Sequence, residues 1–194
     1  MLGQSFRVHN LLTKNNGPET KDHMFGFTLV EILIVVVIIT MTAAMVIPMM
    51  GSTSSMQINS AANMIVSDLE YAKSMATGRQ QNYIVVFDVA DNSYEIKDFN
   101  SLSGTWEVID HPIKKGFKYA VDFSSDSRLD KVDIDTMDFD PGSSDTITFD
   151  YFGSPYSGTG TVNPLSRGEI NLQADGATIT ISVEPVTGYI SISN

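Results

Sequence analysis

Gly26-Phe27-Thr28-Leu29-Val30-Glu31 opens an apolar run that reaches Pro48-Met49-Met50, and from Ile32 to Met50 the chain carries no charged residue. At about 1.5 Å per helical residue, a helix from Phe27 to Met50 covers the ~30 Å hydrocarbon core of a bilayer. One carboxylate, Glu31, stands just inside its N-terminal end. An ionised side chain at the centre of a membrane helix costs about 2.5–3.5 kcal/mol on insertion scales, so such a residue marks a functional site by default. An ordinary secretory signal peptide has a shorter apolar region, ~7–15 residues, with small-residue cleavage after it. Here the run is longer, and the segment beyond it offers only the weak Ser60-Ala61-Ala62. An uncleaved signal anchor fits the length but leaves Gly26 and Phe27 without a role. Residues 1–26 set Arg7, Lys14 and Lys21 against Glu19 and Asp22, a small positive-inside bias.

In this register Gly26, Phe27, Glu31 and Pro48 resemble the class III signal sequence of type IV pilins and type II secretion pseudopilins. The resemblance implies that a prepilin peptidase cuts on the cytoplasmic side between Gly26 and Phe27. It then methylates the new amine, so that Phe27 becomes N-methylphenylalanine. Pro48 takes the place of a helix-bending proline, and Glu31 that of the assembly glutamate which pairs with the amine of a neighbouring subunit. The chemistry is consistent with that role. An α-amine titrates near ~8 and stays mostly protonated at neutral pH. A buried ammonium and a buried carboxylate are each unfavourable alone and far less so together. The partners implied are other pilin or pseudopilin subunits, the peptidase, an inner-membrane assembly platform, the membrane itself and exported substrate proteins.

Composition bounds the remainder. A chain of 194 residues accommodates one moderate domain plus an anchor. Residues 27–194 hold nine Lys/Arg against twenty-one Asp/Glu, a formal charge of −12. Such acidity argues against nucleic acid as a partner, because phosphate neutralisation needs Lys/Arg clusters. The sequence has no cysteine, which removes disulfides, thiol nucleophiles and thiolate metal sites. Stability must therefore come from the core.

Beyond the apolar run, Gly51-Ser52-Thr53-Ser54-Ser55 is a weak helical stretch. Ile58, Ala61, Ala62, Ile65, Leu69, Ala72 and Ala76 then follow helical spacing, with Gly78 as the expected stop. One long helix over roughly 28–77 is expected, its second half packing one face on a globular domain. Strands are expected over Tyr83–Phe87, Tyr94–Lys97, Thr105–Ile109, Phe117–Val121, Thr146–Phe149, Gly168–Leu172, Thr178–Val183 and Tyr189–Ile192. Ala90-Asp91-Asn92-Ser93 and Glu184-Pro185-Val186-Thr187-Gly188 read as hairpin connections. The fold class is α+β, a long N-terminal helix packed on antiparallel sheets in the pilin manner. The chain divides into a leader, 1–26; a membrane-spanning helix, 27–50; its amphipathic continuation, 51–81; and a β-rich periplasmic domain, 82–194. A soluble domain is expected to start near Gln57. The stretch Asp68–Ala76 leading into a Tyr-containing hairpin resembles the GspH/FimT branch of pseudopilins, as does Ile147–Gly153 followed by the closing hairpin.

Six aspartates crowd the segment Asp130, Asp133, Asp135, Asp138, Asp140 and Asp145. Carboxylate clusters ligate Ca²⁺, and major pseudopilins are known for calcium sites, so Asp133, Asp135, Asp138 and Asp140 are candidate ligands. The spacing fails the EF-hand pattern, and a solvated loop or strand face is the plainer reading. Gly158-Thr159-Gly160-Thr161 lacks the lysine of a phosphate loop and reads as a turn. Trp106 and the tyrosines read as core or sheet-surface aromatics rather than a glycan platform. Beyond residue 26 the one histidine is His111, and no Ser/His/Asp ordering has supporting context, so no enzyme and no cofactor is expected. The expected function is that of a minor pseudopilin of a type II secretion system. A minor pilin of a type IV pilus or DNA-uptake filament is the alternative within the class, and a signal-anchored periplasmic enzyme the alternative outside it.

Overall fold

The computed structural model describes residues 27–46 and 51–193, without the side chains of 44–46, 51 and 52. The chain divides at Ala43/Ala44 into two compact units. The first contains most of helix α1, Leu29–Val46. The second holds helix α2, Gly51–Arg79, and all the strands. The expected continuity between the two helices, and Pro48 with it, falls on residues 47–50, outside the described ones.

Helix α2 is amphipathic as its spacing predicts. Ile58, Ala61, Ala62, Ile65, Leu69, Ala72 and Ala76 are all buried, while Asn59, Ser60, Asn63, Ser67 and Glu70 face solvent. The small residues on the buried stripe let the helix approach the sheets closely. The expected stop at Gly78 is displaced. α2 runs to Arg79, and the left-handed residue that ends it is Gln80, at φ +57°. The Gln81 N–H donates to the Ala76 carbonyl at 3.3 Å, closing a Schellman-type turn. A left-handed non-glycine residue costs about 1–2 kcal/mol. The Gln80 side chain offsets part of this by donating to the Thr77 carbonyl at 2.8 Å.

The first sheet is built from β1 (Tyr83–Asp88), β2 (Ser93–Asn100), β3 (Thr105–Val108), β4 (Ala120–Asp122), β6 (Thr146–Phe149) and β7 (Pro155–Ser157), ordered β3-β2-β1-β6-β7. β3 and β4 share one edge of β2, pairing with Lys97–Asn100 and Ser93–Glu95 respectively. The second sheet is β10-β9-β8-β5, from β5 (Asp133–Asp140), β8 (Arg167–Ala174), β9 (Ala177–Val183) and β10 (Ile190–Ser193). Every pairing is antiparallel. α2 contacts β1 and β6 of the first sheet and β8, β9 and β10 of the second, so one helix face supplies core to both. Phe87 of the first sheet meets Phe139 of the second at 5.9 Å between ring centres.

One expected strand is corrected. The strand expected over Phe117–Val121 shrinks to Ala120–Asp122, because Phe117 turns back to accept from the His111 N–H at 2.8 Å. The aspartate-rich segment agrees with the strand-face reading: it forms edge strand β5, absent from the expected strands, with Ile134 and Phe139 buried and Asp133 and Asp135 exposed. Gly158–Thr161 is a bend, held by Thr148, whose hydroxyl donates to the Gly158 carbonyl at 2.6 Å and accepts from the Gly160 N–H at 3.1 Å.

Candidate assembly site

Thr28-Leu29-Val30-Glu31 has the Thr-x-x-Glu pattern of a helix N-terminus. Thr28 caps α1: its hydroxyl accepts from the Glu31 N–H at 3.2 Å, and its carbonyl from the Ile32 N–H at 3.2 Å. Glu31 therefore lies in the first turn, where the helix dipole favours a negative charge. Its carboxylate has no hydrogen-bonding or ionic partner among the described residues. The hydroxyls deeper in α1 turn inward instead. Thr40 donates to the Val37 carbonyl at 2.8 Å and Thr42 to the Ile38 carbonyl at 3.0 Å. Polar groups satisfied within the helix suit an apolar surrounding.

The apolar side chains of α1 cover its whole circumference. Leu29, Val30, Ile32, Leu33, Ile34, Val35, Val36, Val37, Ile38 and Ile39 are all exposed, between 41 and 81%. A helix apolar all round belongs in a core, a bundle or a bilayer. Phe27, just ahead of the cap, is 75% exposed. Gly26 and Pro48 lie outside the described residues. Among the described residues no helix is long and apolar enough to cross a membrane, and the expected span, 27–50, runs through residues 47–50 beyond them.

In the second unit a carboxylate to which the sequence reading gives no role of its own proves central. Asp68 of α2 accepts from the Tyr94 hydroxyl at 2.6 Å and from the Tyr119 hydroxyl at 2.8 Å. Burial pushes the Asp68 carboxyl above its ordinary range, against the opposing pull of both hydroxyls and nearby His111. Burial and the bonded Asp68 carboxylate push both tyrosine hydroxyls up in turn. Tyr119 lies between the rings of Tyr71, stacked at 5.4 Å, and His111, stacked at 4.7 Å. This network ties α2 to the first sheet. Ties to the second sheet run through Ser54, which bonds Asp175, and Lys73, whose Nζ donates to the Gly188 carbonyl at 2.9 Å. Gln57 adds bonds to the Asp130 carboxylate at 3.3 Å and the Lys131 N–H at 3.2 Å.

β5 does not gather the candidate metal ligands around one point. Arg167 on β8 forms ion pairs with both Asp138 and Asp140. Asp133 lies 3.4 Å from the Asn92 amide, and Asp135 is exposed at the irregularity between Ile134 and Thr136. Among the described residues no group of three or more His, Cys, Asp or Glu side chains is arranged to hold a metal ion. His111 Nδ1 accepts from the N–H groups of Ile113 and Lys114 at 3.1 and 3.2 Å, which makes it a loop cap.

The second unit is an amphipathic helix laid across two antiparallel sheets, an α+β fold. No protein-family model matches the sequence, and comparison with curated proteins finds no match. Solved structures do match. The minor pseudopilin EpsH from the Type 2 Secretion System of Vibrio cholerae superposes over 70% of this chain and 94% of its own, with a TM-score of 0.50 at 11% identity. The type IV minor pilin FimU of Pseudomonas aeruginosa matches over 70% of this chain and 92% of its own, at 16% identity and a TM-score of 0.44. At this identity the EpsH likeness is one of fold.

Proposed function

We propose that the chain is a minor pseudopilin of a type II secretion system, held in the bacterial inner membrane by segment 27–50 with residues 82–194 in the periplasm. From there it is extracted into a periplasmic pseudopilus, where it packs against other pseudopilin subunits and meets exported substrates. It works by assembly rather than catalysis. The observation that carries the reading is α1, apolar around its circumference and bearing, three residues past its cap, one carboxylate without a partner among the described residues. Such a helix needs both an apolar surrounding and a cation. A neighbouring subunit's Phe27 amine, freed by cleavage after Gly26, supplies the cation. The EpsH-like fold of the second unit supports the same reading.

The decisive experiment is intact-mass and N-terminal peptide analysis of the membrane-extracted protein, with and without the cognate prepilin peptidase. The expected mature chain opens at Phe27 and carries one added methyl group only when the peptidase is present. An N-terminus at Met1, or one created after the apolar run, removes the proposal in favour of an anchored enzyme or secreted domain. Co-purification then assigns the machine: a secretin platform supports the pseudopilin, and a surface pilus replaces it with a minor pilin. Glu31→Ala is expected to be processed normally yet fail to enter the filament. Normal incorporation of that variant removes the pairing.

A further inference from the structure

The densest cationic stretch of residues 27–194 is the loop His111-Pro112-Ile113-Lys114-Lys115-Gly116-Phe117-Lys118, which holds three of the nine Lys/Arg. Its two large apolar side chains point outward, Ile113 at 85% and Phe117 at 67% exposure. Lys118 pairs with Asp110 at 2.9 Å, whereas Lys114 and Lys115 form no ion pair among the described residues. Two apolar anchors therefore flank two ammonium groups outside any ion pair among the described residues, Lys114 within electrostatic reach of Asp126, in a stretch, 27–194, whose net charge is −12.

The loop is also built to hold its shape. The His111 N–H donates to the Phe117 carbonyl and the Phe117 N–H to the Lys114 carbonyl, at 2.8 and 3.2 Å. His111 Nδ1 caps the Ile113 and Lys114 N–H groups, and its ring stacks on Tyr119, which is bonded to Asp68 of α2. Exposed apolar anchors on a preformed loop lose little conformational freedom on binding, which is how small contacts come to dominate an interface.

We propose that loop 111–118 is a docking knob for an acidic protein surface on a neighbouring filament subunit, with Ile113 and Phe117 filling apolar pockets and Lys114 and Lys115 meeting carboxylates. This rests on the filament reading above. Charge complementarity selects the partner: ammonium groups on an otherwise acidic chain steer it toward acidic surfaces that the rest of the domain repels. Position favours a protein over a lipid headgroup. Asp68, to which the loop is tied, lies about 25 Å along α2 from Gly51, far from the end that follows the apolar run. His111 is a positioning residue for this surface.

The test places a photo-crosslinking residue at Ile113 or Phe117 of the full chain, expressed in its own membranes with the secretion or pilus machinery present. The expected adduct joins the loop to an Asp/Glu-rich peptide of another filament subunit, identified by mass spectrometry. Its yield falls about tenfold in Lys114→Glu/Lys115→Glu, the change of roughly 1.4 kcal/mol that each decade represents. His111→Ala reduces it several-fold, and His111→Asn, whose carbonyl accepts the same N–H groups, restores part of it. Adducts with lipid, with a non-acidic segment or with nothing overturn the proposal, as does a yield indifferent to charge reversal. The N-terminus is read from the same samples. A chain processed at Phe27 without the acidic adduct sinks the docking surface alone. An unprocessed chain that still gives the adduct sinks the filament reading and leaves the acidic-partner contact standing.

Discussion

Asp68→Ala tests the tie between α2 and the first sheet. The substitution strands two hydroxyls: Tyr94, 1% exposed, and Tyr119, 7% exposed, with no second acceptor for either among the described residues. A buried donor left without a partner costs about 1–3 kcal/mol, so the two together set a range of roughly 2–6. Relief of the carboxylate's own desolvation, which dominates its shifted titration, offsets part of that. The expected net loss is about 2–4 kcal/mol, a large share of the ~5–15 that a domain holds in reserve. Asp68→Asn keeps an acceptor and a donor in place and should lose less than about 1.5 kcal/mol. Urea denaturation of a domain beginning at Thr53 measures both, with Trp106, the one tryptophan of the chain, as fluorescent reporter on β3. Combining Asp68→Ala with Tyr94→Phe closes a cycle in which the second change removes the stranded hydroxyl and should recover part of the loss. A loss under ~0.5 kcal/mol for Asp68→Ala, or strict additivity in the cycle, would refute the network.

The same carboxyl makes stability depend on pH in a defined direction. Folding raises it above its unfolded value, so the native state holds the proton more tightly. Its contribution is fully present below the unfolded value near ~3.9 and is lost as pH rises through the raised native value. Asp68→Asn should flatten that part of a urea-midpoint profile, and an unchanged slope assigns it to other groups. Gly188→Ala would set a methyl 2.9 Å from the Gly153 carbonyl oxygen at φ +59°, beside the bond from Lys73. It should cost about 2 kcal/mol or more by thermal melt, whereas Gly104→Ala, with open space around it, carries only its left-handed strain of about 1 kcal/mol. A domain starting at Gln57 discards Ser54 and its bond to Asp175, so it should melt earlier than one starting at Thr53, by the equivalent of about 1–3 kcal/mol. Equal melting temperatures leave that bond without energetic weight.

The stripe from Ile58 to Ala76 and the closing hairpin are legible in sequence because each element decides its own periodicity: 3.6 along the helix, and Ile alternating with Thr or Ser along β9. β5 escapes the same test for two reasons. Aspartate is a poor strand former, and the irregularity between Ile134 and Thr136 breaks the alternation, leaving Ile134, Met137 and Phe139 off a simple period of two. Position explains the composition, since an edge strand lined with carboxylates resists pairing with another chain. β7 is three residues long and begins with Pro155, too little pattern to see. Asp68 is hidden in a different way. On the helix it passes for a flank of the apolar stripe, and its partners lie 26 and 51 residues further along the chain. Glu31 stands out in the sequence as the one carboxylate at the head of an uncharged run, and the structure places it in the first turn of α1.

The fastenings of α2 have a mechanical consequence. They occur at three stations: Ser54 and Gln57 near its start, Asp68 in its middle, and Lys73 toward its end. The outer two grip the second sheet and the middle one grips the first, over about 28 Å of helix from Ser54 to Lys73. A pull along the axis loads all of them in shear and in parallel, so no single bond carries the tension. Both sheets then travel with the helix as freight on a rail, and the domain can be dragged through crowded surroundings without being peeled from its own backbone.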